Sequence, residues 1–279
     1  MEAFSAPFDY LSGSSFKLWF WVFDRISLFL ESAGPVVSRT GFEGEIERIR
    51  KEYERRDLEI PEGYYSLDKP SNRFMHTQRL LAARGMLEQN QFFPLSKKKI
   101  LEIGCGSGGW LPDFEKWGVD QSCLHGIDLD ESRIAQARRR LPKAELIVRE
   151  ASGLPWPSRH FDIVLQSTVF SSILLPELKQ TIADEMLRVL KPGGMILWYD
   201  FFWNNPWNPN VRGVKAREIK RLFSHCRVEL ERITLASPLL RTLAPRSASF
   251  CVFLERLKFL NTHYLACIIP PLIPENERA

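Results

Sequence analysis

Cysteine is scarce in this chain and poorly arranged for structural work. Cys105, Cys123, Cys226, Cys251 and Cys267 are odd in number, and no two stand in a C-x-x-C spacing. A disulfide framework and a zinc knuckle are therefore excluded as organising devices, and no other metal-ligand spacing is present, so no metal is expected. A reducing, cytoplasmic setting fits this usage. Charge of one sign is also lacking: 38 Lys and Arg stand against 34 Asp and Glu, a net +4. The basic runs Lys97–Lys99 and Arg138–Arg140 are short. They come without a zinc-finger, RRM or basic-helix pattern, so nucleic acid is not an expected partner. Long apolar runs are missing too. The best candidate, Phe16 to Leu30, is interrupted by Asp24 and Arg25 and is too short to cross a bilayer. Glu2 stands where a secretory signal would be basic, so no cleavable leader is expected. Internal repeats and low-complexity tracts are absent.

What is present is an ordinary apolar fraction, 44% over 279 residues, enough for one large core with an appendage. Residues 1–95 read as an N-terminal helical extension or cap, with an aromatic-rich segment at 16–30. Helical spacing of charge runs from Glu43 to Asp57, and Arg79 to Asn90 is a second helical stretch. From residue 96 to 279 the pattern changes to short β-branched strands alternating with helices. Strands are expected at Ile100–Ile103, Leu124–Asp128, Glu145–Arg149, Phe161–Ser167, Met195–Phe201, Val228–Leu235 and His263–Ile269. Helices are expected at Trp110–Trp117, Glu131–Leu141, Pro176–Leu190 and Phe250–Leu260. Lys191-Pro192-Gly193-Gly194 reads as a stop and turn ahead of the fifth strand. Such alternation predicts an α/β fold: a doubly wound, Rossmann-like parallel sheet with helices on both faces.

The chemistry concentrates in Ile100-Leu-Glu102-Ile-Gly104-Cys105-Gly106-Ser107-Gly108-Gly109-Trp110. Glycines between a strand and a helix let the backbone turn sharply and approach a ligand, while the helix N-terminus favours an anionic group. Alone the loop is ambiguous. Gly104, Gly106 and Gly109 also satisfy the dinucleotide pattern G-x-G-x-x-G, and Asp128 lies where a ribose-binding acid belongs in either case.

The neighbouring residues resemble the class I S-adenosylmethionine-dependent methyltransferases. Glu102, Gly104, Gly106 and Gly108 match the first motif of that family, E/D-x-G-x-G-x-G, position for position. Gly126-Ile127-Asp128 resembles the second motif, and Glu150-Ala151 stands where the family usually has Asp-Ala beside the adenine. Leu154-Pro155-Trp156-Pro157, Phe161-Asp162-Ile163-Val164-Leu165 and Arg188 to Gly194 resemble the segments that follow. Trp198-Tyr199-Asp200-Phe201, Asn204-Asn205-Pro206 and Asn208 to Gly213 look like a bacterial subgroup that accompanies glycan or natural-product assembly.

The resemblance implies S-adenosyl-L-methionine as cofactor and a small-molecule, glycan or lipid-linked acceptor, methylated at oxygen. Asp128 would grip both ribose hydroxyls, a geometry that suits a carboxylate. Leu129 would cover the adenine, with Glu150 and Ala151 at its polar edge. Glu102 and Gln166 would meet the methionine end, and the backbone of Gly104, Cys105, Gly106, Ser107 and Gly108 would lie along the ligand. Asp200 is the expected base or acceptor-positioning group, with Tyr199, Asn204 and Asn205 beside it. His76, in the cap, is a further catalytic candidate. Asp128 as a helix cap, Glu150 as a solvated strand end and Asp200 as a pin for the loop after the fifth strand are the structural alternatives.

Two matters stay open at this level. In residues 16–30, Lys17 and Asp24 stand seven apart, with Glu31 another seven on, forming a narrow polar stripe on an otherwise apolar helix. It suits a helix packed on the domain, a lid, a peripheral membrane contact or a dimer contact. The function alternatives are a nicotinamide-dependent oxidoreductase on the same platform and a non-catalytic cofactor-binding partner subunit.

Overall fold

The computed structural model describes residues 39–61, 63–204 and 208–271. The aromatic segment 16–30 and Asn205 lie outside them. Seven strands form one sheet in the order β3-β2-β1-β4-β5-β7-β6. They are β1 (Ile100–Ile103), β2 (Leu124–Asp128), β3 (Glu145–Val148), β4 (Phe161–Ser167), β5 (Leu190–Phe201), β6 (Arg227–Leu235) and β7 (Asn261–Ile269). Strands β1 to β5 pair in parallel. Strand β7 runs antiparallel to both β5 and β6, so the sheet is mixed rather than parallel throughout.

Period-two alternation gives the central strands two apolar faces. Leu101, Ile103, Val164, Ile196 and Trp198 point to one side. There they meet helix α1 (Arg39–Glu59) through Ile49, α5 (Pro176–Val189) through Ile182 and Met186, and α6 (Ala216–Leu222) through Ile219. Ile100, Leu165, Met195, Leu197 and Tyr199 point to the other. They meet α2 (Pro70–Gln89) through Leu87, α3 (Leu111–Lys116) through Phe114, and α4 (Glu131–Arg140) through Ile134 and Ala137. A smaller cluster joins Phe74 of α2 to Leu235, to Leu240 of α7 (Ser237–Leu243) and to Cys251 of α8 (Ala248–Arg256). Helices α1 and α2 fall in the same compact unit as the sheet. No helix among the described residues is long and apolar enough to cross a membrane.

Three local expectations are corrected. The Lys191–Gly194 run does not separate α5 from β5. It lies inside β5 as a bulge, with the register jumping from Phe161↔Leu190 to Ile163↔Met195. Gly193 adopts φ 75°, and a Cβ on Gly194 would sit 2.8 Å from the Asp162 carbonyl oxygen, so glycines are needed there without ending the strand. Helix α2 starts nine residues before Arg79, at Pro70, whose fixed φ suits a first helical position. Helices α6 and α7 were not expected; each spans only seven residues.

The strand order turns back between β1 and β4. In open α/β sheets that switch point opens a crevice beyond the carboxyl ends of the strands. The glycine loop after β1 and the turn after β4 face each other there, and a Cβ on Gly104 would come within 2.4 Å of Val169 Cγ2.

Candidate functional site

The glycine loop is tied down almost completely. The N–H groups of Gly104 and Cys105 both donate to the Ile127 carbonyl, and those of Gly108 and Gly109 to the Cys105 carbonyl. The Gly106 N–H donates to Asp128 Oδ2 at 2.8 Å. Ser107 alone in the loop keeps an N–H without a partner among the described residues. Gly106 holds φ +50° with nothing within 4 Å of a built Cβ, so open space lies directly over side-chain-free backbone. Cys105 points the other way. Its thiol is buried against Gly126, and desolvation pushes its pKa far up, which makes it packing rather than a nucleophile.

Asp128 stands at the carboxyl end of β2 and is half-buried. Its Oδ1 accepts the Asp130 N–H at 3.0 Å, so each carboxylate oxygen takes one main-chain hydrogen bond and keeps a lone pair. Burial raises its pKa against the pull of those two bonds. It is not the helix cap: Asp130 caps α4, accepting from the Arg133 N–H at 3.0 Å.

Glu102 lies deeper, 1% exposed, with both oxygens on the Trp110 N–H at 2.9 and 3.2 Å. A Cβ on Gly109 would sit 2.2 Å from Glu102 Oε1, so the fourth glycine exists to let this carboxylate lie against the backbone. Desolvation pushes the Glu102 pKa up to about 8, with the Arg79 charge and the backbone hydrogen bonds opposing it.

Of the expected adenine contacts, Leu129 and Ala151 are half-buried and pack on the core cluster. Glu150 folds onto its own turn, Oε2 accepting the Ser152 N–H at 2.9 Å. Gln166 is fully buried and bridges β4 to its turn and to β5, with Oε1 accepting the Val169 N–H and Nε2 donating to the Tyr199 carbonyl.

The expected catalytic trio does not converge. Tyr199 and Asp200 are neighbours on β5 and so point to opposite faces of the sheet. Tyr199 is buried: its hydroxyl pairs with Thr234 at 2.9 Å, its ring stacks on His263 at 4.8 Å, and desolvation pushes its pKa to about 12. Asp200 is wholly enclosed, Oδ2 accepting the Ser171 N–H and Oδ1 the Phe201 N–H. Desolvation raises its pKa to about 7. This geometry corrects the expectation of a base facing an acceptor: Asp200 pins a loop, and the loop is the one after β4 rather than β5. Asn204 accepts the Gly213 N–H at 3.0 Å and closes the loop after β5. His76 is half-buried on α2, Nε2 against Asp113 Oδ2 at 3.0 Å, with Lys116 also on Asp113.

Two features escaped the sequence reading. Arg79, one turn beyond His76, lays its guanidinium over the Trp110 ring at 4.3 Å and the Tyr199 ring at 5.4 Å, and its buried Nε has no hydrogen-bond partner. No carboxylate pairs with it among the described residues. Desolvation, with the Arg79 charge adding to it, pushes His263 down to about 3, so that ring stays neutral. The second feature is a clasp on α1. Glu45 accepts the Leu174 and Leu175 N–H groups, Arg48 donates to the Ser172 and Asn210 carbonyls, and Glu52 accepts from the Asn208 and Asn210 side chains. One helix face thereby holds the loops after β4 and β5 together. Glu45, Arg48 and Glu52 do stand at helical spacing in the sequence, but that pattern fits a solvated face equally well.

Residues 100–194 match a family model described as a methyltransferase domain. The chain is 30% identical over 132 residues to phthiotriol/phenolphthiotriol dimycocerosates methyltransferase 1 of Mycobacterium ulcerans, covering 46% of this chain and 47% of that protein. It is 36% identical over 105 residues to the fatty-acid O-methyltransferase of Mycolicibacterium smegmatis, covering 37% of each. The match spans less than half the length of either relative. In fold, the chain is similar to the 1,6-didemethyltoxoflavin-N1-methyltransferase of Burkholderia thailandensis, solved with 1,6-didemethyltoxoflavin and S-adenosylhomocysteine. That likeness has TM-score 0.55 at 15% identity and covers 86% of this chain and 94% of that one.

Proposed function

We propose that this chain, whose residues 100–194 match a methyltransferase domain, transfers a methyl group from S-adenosylmethionine to a small-molecule or lipid acceptor, at oxygen. The observation that carries the proposal is the junction of Asp128 with Gly106, where a carboxylate with spare lone pairs borders open space over bare backbone.

The residues present fit the cofactor. Asp128 would accept both ribose hydroxyls while keeping its two main-chain bonds. Leu129 and Ala151 offer apolar cover, and Glu150 has one oxygen left for an exocyclic amine. Along the loop, Gly106 leaves open space for close approach and Ser107 a free N–H, while Gly104, Cys105 and Gly108 would hold the turn in place through their packing against Val169, Gly126 and α4. Arg79 is a half-buried cation in want of an anion, which suits the methionine carboxylate. Glu102 gives an ammonium group a carboxylate to settle beside. Gln166 acts indirectly, by fixing the turn after β4. When bound, the cofactor supplies a methyl group on a sulfonium, so the protein's part is alignment and exclusion of water.

A hydroxyl acceptor must also give up a proton. Asp113 accepts only, so it takes the proton on His76 Nε2 and leaves Nδ1 as the basic nitrogen. We assign His76 that role, with Asp113 orienting its ring; Asp200 acts at a distance by pinning the loop after β4, and Tyr199 by stacking on His263. The names of the two relatives, one a fatty-acid O-methyltransferase, support an apolar acceptor and transfer to oxygen. Methyl-labelled cofactor incubated with fractionated lipids, glycans and small metabolites, followed by mass spectrometry of the labelled product, tests the acceptor class. Separate calorimetric titrations with S-adenosylmethionine and NAD test the cofactor; heat with NAD alone would end the proposal in favour of an oxidoreductase.

A further inference from the structure

Apolar side chains on a short helix belong on its inner face, yet α8 turns its largest ones outward. Phe250 is 47% exposed and Phe253 57%, and just past the helix Leu257 is 39% and Phe259 67% exposed. Positions 250, 253 and 257 share one face at helical spacing, and the two phenylalanine rings stack at 6.3 Å. The inner face is already satisfied by Cys251 and by Glu255, which accepts the Thr234 N–H. Exposed aromatics in so tight a group mark a contact surface.

The surrounding charge says what kind. Segment 236–260 carries Arg241, Arg246, Arg256 and Lys258 on its surface, and its single acid, Glu255, is buried. Lys258 pairs with Glu231 at 2.7 Å. None of the three arginines pairs with a carboxylate among the described residues. Arg241 lies over the Tyr64 ring at 4.8 Å. A helix that shows aromatics and cations and no acid matches a layer with apolar interior and anionic surface.

We propose that α8 and the turn after it dock on an anionic lipid bilayer, with Phe250, Phe253, Leu257 and Phe259 in the interface and Arg241, Arg246 and Arg256 against the headgroups. This is independent of the cofactor reading and of residues 16–30. The test is flotation of the full chain with phosphatidylcholine vesicles, with and without about a third phosphatidylglycerol, alongside hydrogen–deuterium exchange of the unmodified chain. The expected result is binding to the anionic vesicles only, with protection of residues 248–260. Phe250→Ser with Phe253→Ser should weaken it about tenfold, and Arg241→Gln with Arg246→Gln and Arg256→Gln should abolish the preference for anionic lipid. Absence of vesicle binding, undiminished binding by the serine variant, or exchange protection confined to other segments overturns the proposal. So does a serine variant that changes the sedimentation state but not lipid binding, which would make this face a contact between copies.

Discussion

Gly109→Ala is expected to destabilise the protein only because Glu102 is there. Gly109 has ordinary backbone angles, so alanine brings no conformational strain. Its Cβ would instead fall 2.2 Å from Glu102 Oε1 and 2.9 Å from Cδ. The carboxylate can swing aside, but only by releasing the buried Trp110 N–H it holds at 2.9 Å. Losing that bond with both groups still enclosed costs about 1–3 kcal/mol. Glu102→Ala alone should cost a similar amount. In the Glu102→Ala background the space is vacated, so adding Gly109→Ala should cost less than about 0.5 kcal/mol. Urea unfolding of the two single variants and the double variant, without ligand, gives the coupling directly. Purely additive costs would refute the account of why this glycine is a glycine.

Gly106→Ala should cost only about 1–2 kcal/mol in stability, from its left-handed backbone, yet lower S-adenosylmethionine affinity at least about tenfold by calorimetry, because the methyl group enters the open space over the loop. Glu102 is mostly protonated at pH 7, so binding a cation beside it should release roughly one proton, measured by calorimetry in buffers of different ionisation enthalpy; Glu102→Gln should release none. Both Glu102 and Asp200 have folded pKa values raised above their unfolded ones, to about 8 and about 7. The folded state therefore binds the extra protons, and this contribution to stability, complete below the ordinary carboxylate range, is lost as pH rises through those values; urea midpoints should fall from mildly acidic to mildly basic pH, less steeply in Asp200→Asn. If the acceptor is a hydroxyl, His76→Ala should lower kcat about 10²–10⁴-fold in steady-state assays while leaving cofactor affinity by calorimetry unchanged.

The sheet core was legible because its strands are short apolar runs separated by glycine or capped helices, and pairing simply joined them. The reversal of β7 was not, since strand direction leaves no mark on an apolar run such as His263–Ile269. The turn residues at Lys191–Gly194 were read for their chemistry and misplaced in their setting, because a bulge and a turn make the same demand on backbone angles. At the site, Asp128 and the glycines were visible as a motif with fixed spacing. Arg79 was not, because nothing in a helix containing several arginines singles out the one whose guanidinium will lie on Trp110. Asp200 was seen but misjudged: sequence gives proximity to the sheet edge, while the alternation of side chains along β5 decides which way the carboxylate faces.

The clasp on α1 carries one more implication. Under the proposed function the nucleoside would be held by the turns after β1 and β2, whereas Glu45, Arg48 and Glu52 fix where the two outer loops stand. A lineage with this architecture can exchange a single helix, and so reposition both outer loops, without touching the turns after β1 and β2.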